Sequence, residues 1–153
     1  MVRDIVKVGA PVLRQRCNDV TKFDDNLGRI LDDMYETKVE ADCIGLAAPQ
    51  IGIPARIIVI KVDEKRIELV NPVIRMMRGK QFEVEGCLSN PGRRGVVQRP
   101  KFVSVRGVDR YGKPVKFRAK GLLARAFCHE IDHLNGILFE DKVIEWVEEE
   151  ENT

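Results

Sequence analysis

The sequence lacks the features that mark secreted and membrane proteins. Charged residues interrupt the first seven positions before an apolar stretch typical of a signal peptide is reached. No run of apolar residues approaches the ~18 that a membrane-spanning helix needs. We therefore expect a protein of the reducing cytoplasm that has no membrane partner.

Cysteine pairs and histidines are scarce as well. The four cysteines, at positions 17, 43, 87 and 128, form no Cys-x-x-Cys pair. In a reducing compartment this set does not predict a disulfide framework, and a metal or reactive-thiol role is the better prediction for any special cysteine. The chain has only two histidines, His129 and His133, and they lie four residues apart.

An excess of charge of either sign is also missing. Lys and Arg total 26 against 24 for Asp and Glu, which gives a formal net charge of +2. This balance gives no sign of a nucleic-acid footprint or a polybasic membrane patch. There is no internal repeat, low-complexity tract or linker-like stretch, so residues 1–153 are predicted to form one domain.

Apolar periodicity predicts an α+β arrangement. A helix is predicted from about Asp24 to Glu40, with Thr21 or Asp24 as its N-cap. A second helix is predicted over residues 121–135 and ends at Gly136. The middle of the chain is typical of β-strands joined by turns, at residues 56–62, 67–70, 102–108 and 115–117. Strands in the middle and helices toward the ends define the fold class.

The strongest chemical signal is the segment His129-Glu130-Ile131-Asp132-His133. At about 100° per helical residue the two histidines lie about 40° apart, so both imidazoles can reach one cation. Glu130 flanks this pair, where a general base for an activated water belongs. Asp132 flanks the other side and can orient a ligand or pair with an arginine. The alternative, a chance match on an exposed helix, is disfavoured by the apolar residues around the motif.

A third metal ligand is expected upstream of this motif. A catalytic ion of this kind has three protein ligands and one open position. No histidine follows His133, and the acids from 140 to 150 fall in a short tail. Cys87 is the best candidate, because it follows a strand-like stretch and precedes the turn signal Asn90-Pro91-Gly92. Taken alone, such a cysteine is more often a small core residue.

The segment from Cys43 to Gln50 is rich in small residues. Small residues let the backbone approach a ligand closely. Gln50 offers an amide donor to a developing oxyanion. By itself a Gly-Ala-Pro segment of this kind predicts only a loop.

Together these three segments resemble the peptide deformylase family. Residues 45–50, 85–89 and 129–133 resemble its first, second and third motifs, in the same order. The agreement extends through Asn71-Pro72, Arg94, Arg99, Leu134-Asn135-Gly136 and Leu138-Phe139, and thus covers nearly the whole chain. Two positions depart from the family: Cys43 stands where Gly is usual, and Cys128 where Gln is usual. Neither is expected to bind metal, although Cys43 affects the shape of the substrate edge and Cys128 a hydrogen bond behind the site.

The resemblance implies small mixed or antiparallel β-sheets packed around a central C-terminal helix that carries the His-Glu-x-x-His motif. It implies removal of the formyl group from formyl-methionine on newly made polypeptides at the ribosome, with release of formate. Fe(II) would be the native ion, and zinc, nickel or cobalt its replacements. The implied roles are metal binding by Cys87, His129 and His133, general base catalysis by Glu130, oxyanion binding by Gln50 and the Leu88 N–H, and substrate contact by Ile44, Gly45, Gly86 and Leu88.

Two arginines are expected near this site. Arg125 stands one helical turn before His129, so we expect its stem to line the methionine pocket or, alternatively, to point away toward a surface acid. Arg99 is expected to form an ion pair with Asp132. Two other functions remain open at this stage: a zinc endopeptidase, suggested by His-Glu-x-x-His alone, and an inactive ribosome-associated binding module.

Overall fold

The computed structural model describes residues 1–147. This part of the chain forms two α-helices, α1 (Asp25–Glu40) and α2 (Gly121–Leu134). Its strands are β1 (Gly45–Ala47), β2 (Ile57–Val62), β3 (Lys65–Arg78), β4 (Gln81–Cys87), β5 (Asn90–Arg99), β6 (Phe102–Val108), β7 (Pro114–Lys120) and β8 (Val143–Val147). Short 3-10 helices cover Pro11–Arg14, Ala48–Ile51 and Phe139–Lys142. Among these elements, no helix is both long and apolar enough to span a membrane.

The strands form two antiparallel sheets. The larger sheet has the order β1-β2-β3-β6-β7, and the smaller has the order β4-β5-β8. Every pairing between these strands is antiparallel. The α+β fold class is therefore confirmed, with antiparallel rather than mixed sheets in the part of the chain that the structure describes.

Each face of the larger sheet packs against one helix. On one face, α2 contributes Phe127, Ile131 and Leu134 to a cluster with the strand residues Ile58, Ile60, Ile67, Leu69, Val103 and Val105. On the other face, α1 contributes Leu27, Leu31 and Met34 to a cluster with Leu46, Ile57, Val59 and Val70. The second helix is thus held against the middle of the sheet, which gives its functional side chains a rigid support.

The start of α1 and the end of α2 lie where the sequence predicts them. The Asp24 side chain caps α1 by accepting a hydrogen bond from the Leu27 N–H at 3.1 Å. At the end of α2, Gly136 has a φ of 73°, and an added Cβ would stand 2.6 Å from the Arg14 carbonyl oxygen. Arg56 donates to the Leu134 carbonyl at 3.0 Å, which satisfies a backbone acceptor at the C-terminus of the helix.

The structure corrects three details of the strand prediction. β3 does not stop at Val70 but continues past Asn71-Pro72, with irregular register, to Arg78. The turn after Cys87 consists of Leu88 and Ser89, so Asn90-Pro91-Gly92 begins a strand instead of forming the turn. No strand was predicted in the acidic tail, yet residues 143–147 pair with β5 as β8. These differences arise because strand pairing is decided by distant partners and not by local composition.

Candidate active site

The three residues predicted as metal ligands lie together. One donor atom each of Cys87, His129 and His133 falls within 4.8 Å of the others. Cys87 is the last residue of β4, and both histidines stand on α2 one turn apart. The sulfur lies 3.4 Å from Nε2 of His133. A strand end and a helix therefore present one thiol and two imidazoles to the same point.

Glu85 fixes the orientation of His129. Its Oε1 lies 2.9 Å from Nδ1 of His129, which leaves Nε2 of that ring to face the cluster. The segment around Glu85 resembles a family motif, but no role was predicted for this residue from the sequence. The signal was present, because residues two apart on a strand share a face, and Glu85 precedes Cys87 by two.

Arg99 joins Glu85 to Asp132. Its Nε and Nη2 donate to the two carboxylate oxygens of Glu85 at 3.0 and 2.9 Å, and its Nη1 donates to Asp132 at 2.6 Å. The predicted ion pair between Arg99 and Asp132 is therefore present, extended by a second carboxylate. Burial alone would raise the pKa of Glu85, but hydrogen bonds with His129 and Arg99 hold it at about 2. Glu85 consequently remains charged behind the histidine.

Glu130 is buried beside the cluster, with only 5% of its surface exposed. A Cβ added to Gly45 would stand 2.7 Å from its Oε2, so β1 passes close enough that only glycine fits there without movement. Burial raises the pKa of Glu130 to about 7, although the charges of His129 and Arg99 oppose that shift. Its Oε1 has no hydrogen-bond partner within residues 1–147. This carboxylate is placed to exchange a proton with a group in the cleft.

Gln50 is buried and its amide has a fixed orientation. The Ala47 N–H donates to Oε1 at 3.0 Å, which turns the NH₂ group toward the cluster. Nε2 then donates to Cys87 Sγ at 3.4 Å and to Ser89 Oγ at 3.3 Å. The segment that alone predicted only a loop is thus a short strand followed by a 3-10 helix, and it supplies an oriented amide donor.

A cleft of about 360 Å³ opens beside these groups. All five residues expected to contact the substrate line it, namely Ile44, Gly45, Gly86, Leu88 and Arg125. Four further residues that were not predicted from the sequence also line it, namely Asp42, Val84, Leu122 and Ala126. The Arg125 Nε is buried, and no hydrogen-bond partner for it exists in the described chain.

The two unusual cysteines lie near the site but outside the donor cluster of residues 1–147. Cys43 lines the cleft, and its carbonyl accepts a hydrogen bond from Lys38 Nζ at 2.8 Å. Burial, aided by the charge of Glu130, raises the pKa of Cys43 to about 12. Burial likewise raises the pKa of Cys128 to about 11. Both groups therefore remain thiols at neutral pH.

The donor set suits a divalent transition-metal ion. One thiolate and two imidazoles are ligands that zinc and iron accept, and a catalytic ion held by three protein ligands would keep a position for water or substrate. The buried, unpartnered oxygen of Glu130 beside this cluster also needs a compensating partner. The residues present therefore fit a catalytic metal centre.

Comparison with known proteins identifies the family. The family model described as polypeptide deformylase matches residues 2–149. The chain belongs to this deformylase family. It is similar to the peptide deformylase of Alkaliphilus metalliredigens, with 58% identity over 88% of this chain and 91% of the relative. It is also similar to the peptide deformylase of Caldicellulosiruptor bescii, with 54% identity over 92% of this chain and 84% of the relative.

A solved deformylase structure agrees with the fold. The peptide deformylase of Thermotoga maritima superposes with a TM-score of 0.91 at 39% identity, covering 94% of this chain and 98% of that one. Membership makes the chain a peptide deformylase, a metal-dependent hydrolase that removes the N-formyl group of formyl-methionine from nascent polypeptides.

Proposed function

We propose that Cys87, His129 and His133 hold the divalent ion of this deformylase, and that residues 1–153 act as one catalytic domain. The observation that carries the ligand assignment is the convergence of the three donor atoms within 4.8 Å, two of them on one helix. When bound, the ion supplies Lewis acidity, which activates water and polarises the formyl carbonyl. Glu85 keeps the Nε2 of His129 available as a ligand atom.

Glu130 serves as the general base in this proposal. It accepts a proton from the attacking water and later delivers it to the nitrogen of the leaving amine, which releases formate. A base with a pKa near the working pH performs both transfers well. The raised pKa and the burial of Glu130 beside Gly45 support this role.

Gln50 and the backbone N–H of Leu88 stabilise the oxyanion that forms at the formyl carbon. The fixed amide of Gln50 supports its assignment, since a donor that is oriented before reaction needs no reorganisation. Each such donor is typically worth about 10²–10³ in rate. Leu88 lines the cleft in the turn directly after Cys87.

The substrate lies between two backbone segments. Ile44 and Gly45, at the start of β1, and Gly86 and Leu88, around the end of β4, all line the cleft. We assign Arg125 to the wall that receives the methionine side chain, with its methylene stem against the substrate and its guanidinium at the rim. Its position in the cleft lining supports this assignment.

Fe(II) is our choice for the native ion, and zinc, nickel or cobalt would replace it in the same ligands. Mixed sulfur and imidazole ligation is compatible with each of these ions. Metal analysis of protein purified without oxygen, in parallel with activity, tests the choice. A protein that carries zinc and is fully active would contradict it.

The place of action follows from the substrate. Formylated N-termini belong to chains that are still being made, so we propose that the enzyme works in the cytoplasm at the ribosome. A direct test of the activity uses a formyl-methionyl tripeptide, with and without a chelator. We expect release of formate that the chelator abolishes and added divalent metal restores.

The same assay separates the two other functions. A zinc endopeptidase would cleave internal peptide bonds and leave the formyl group in place. An inactive binding module would release nothing under either condition. The buried Glu130 beside three convergent donors argues against the inactive module.

A further inference from the structure

One half of the larger sheet carries basic side chains that no helix covers within residues 1–147. On the face where α1 packs, the helix contacts residues of β1, β2 and the first half of β3. The rest of that face, formed by the end of β3 with β6 and β7, is rich in Lys and Arg. We define the basic face as Arg78, Arg106, Lys116, Arg118 and Lys120, all of which are exposed.

Strand register places these side chains on one side of the sheet. In β6, Val103 and Val105 belong to the core beneath α2, so the alternate residue Arg106 points away from it. Arg106 pairs with Lys116, and Phe102 pairs with both Arg78 and Lys120. Arg118 pairs with Ser104, which lies between Phe102 and Arg106 on the same face. The basic face therefore lies on the opposite side of the sheet from the catalytic helix.

No acid balances these charges locally. Residues 71–78, 101–108 and 113–120 contain eight Lys or Arg and no Asp or Glu. None of the basic-face residues forms a salt bridge with any residue from 1 to 147. The small net charge of +2 conceals this asymmetry, because the acids lie elsewhere.

Protection of a sheet edge does not account for the pattern. Lysine on an edge strand discourages pairing with another chain, and β7 is such an edge. Arg106, however, stands at an interior position of β6, where it is paired with Val73 of β3 on one side and Lys116 of β7 on the other. Cations at interior positions of a sheet need a different reason.

We propose that the basic face docks the enzyme on ribosomal RNA by contacting backbone phosphates. The inference rests on the proposed function, since the formylated substrate emerges from a ribosome. Side chains on this face stand about 4.8 Å apart across strands and about 6.8 Å apart along them, which forms a grid of cations for a polyanion. Because the grid faces away from α2, docking leaves the cleft open.

A lipid surface is a poorer partner for this arrangement. Interfacial membrane binding places apolar side chains in the lipid and cations on the opposite flank. The same face also exposes Val73 and Met76 of β3, which pair with Arg106 and Ser104. These apolar side chains adjoin the cations instead of forming a separate flank, and Arg106, Lys116 and Arg118 are neighbours across β6 and β7. A contiguous cationic centre matches phosphates more closely than it matches an acyl layer.

The test compares two variants with equal changes in charge. The first combines Arg106→Gln, Lys116→Gln and Arg118→Gln. The control combines Lys7→Gln, Arg16→Gln and Arg93→Gln, which are exposed residues outside the larger sheet that form no salt bridge with any residue from 1 to 147. Binding of each to intact large ribosomal subunits, to protein-free ribosomal RNA and to phosphatidylglycerol vesicles is measured from about 50 to 200 mM salt.

We expect the first variant to bind subunits and free RNA at least tenfold more weakly than the wild type at the lowest salt. Its plot of log K against log salt should be less steep by about 2 to 3, the effect of losing three phosphate contacts. The control should match the wild type. All three proteins should hydrolyse a free formyl-methionyl peptide with the same kcat/KM, so that a failure of docking is distinguished from a failure of the proposed catalysis.

Three results would overturn the proposal. The first is equal loss of RNA affinity in the control, which would show a general effect of net charge. The second is binding to subunits without binding to free RNA, which would place a ribosomal protein at the contact. The third is a wild type that binds only vesicles, or binds none of the three probes.

Discussion

At the residue scale, Glu130 and Cys87 lie in one cluster but are assigned different tasks. We predict that Glu130→Gln retains the metal and loses turnover by at least 10²-fold, because the base does not hold the ion. Cys87→Ala should lose the metal first. Metal content and kcat of both variants, measured on the same preparations, check the assignment. Parallel loss of metal and activity in Glu130→Gln would make Glu130 a ligand, and full metal content in Cys87→Ala would require another third ligand.

The ligands were predictable from the sequence for a local reason. His129 and His133 are four residues apart on a helix, so their meeting is decided by helical geometry alone. Cys87 lies on the smaller sheet and not on the helix that carries the histidines. It was predicted because the histidine motif needs a third ligand and because the chain resembles the family. Glu85 was missed because its partners, His129 and Arg99, are more than ten residues away in sequence. The two-residue spacing of Glu85 and Cys87 indicated a shared face but not these partners, whereas the equally distant Arg99–Asp132 pair was predicted with the help of the resemblance.

A substitution of Arg125 tests whether the cleft distinguishes peptides by the charge of their third residue. If its guanidinium lies at the rim, Arg125→Met keeps the apolar stem and removes only the charge. We expect the ratio of kcat/KM for acidic against basic third residues of formyl-methionyl peptides to fall about two- to fivefold, the value of an exposed ion pair. Arg29→Met, on the exposed surface of α1, is the matched control. A ratio that Arg125→Met leaves unchanged would remove Arg125 from substrate selection.

At the scale of elements, two substitutions at α1 should change the free energy of unfolding in opposite directions. Asp24→Ala removes the N-cap and should lower the free energy of unfolding by about 1 kcal/mol. Gly28→Ala should raise it by about 0.5–1 kcal/mol, since the added Cβ meets only an ordinary contact at 3.6 Å from Arg110. Thermal unfolding measures both effects, and neither change should alter kcat. If Gly28→Ala lowered the melting temperature, the space recorded around that glycine would be wrong.

Helices and strands differ in how well the sequence predicted them. The bounds of α1 and α2 followed from apolar periodicity, from Asp24 and from Gly136, all of which are local signals. β8 was missed because the acids around residues 143–147 dominate the composition, whereas the pairing with β5 decides the structure. Likewise, the sequence predicted a turn at Asn90-Pro91-Gly92, while the pairing of Cys87 with Asn90 places the turn at Leu88 and Ser89.

At the scale of the whole molecule, the smaller sheet must be held against the rest for the cluster to form. The N-terminal segment bridges the two parts, since the Val6 N–H donates to the Gln50 carbonyl and the Val8 N–H to the Ser89 carbonyl, each at 2.7 Å. Arg99 makes a second bridge from β5 to Asp132 on α2. The geometry of the site therefore depends on contacts that join the two sheets and the helix, none of which is encoded locally.

The bridge from Arg99 to Asp132 and Glu85 is buried, so its loss should affect both stability and the metal site. Arg99 is 2% exposed and its partner Glu85 is 7% exposed, so Arg99→Met leaves a buried carboxylate without its main counter-charge. Breaking such a pair by removing one partner typically costs about 3–5 kcal/mol. Glu85 orients His129, so we also expect metal affinity to fall about 10–100-fold.

Arg110→Met is the matched control for this experiment. Arg110 likewise contacts two carboxylates, those of Asp32 and Glu68, but these are far more exposed, at 54% and 26%. Its loss should cost about 1 kcal/mol or less and leave metal binding unchanged, because solvent screens exposed ion pairs. Thermal unfolding and competition with a metal chelator measure the two effects in both variants. Wild-type metal affinity in Arg99→Met, or equal losses in both variants, would show that the buried network does not position the histidine.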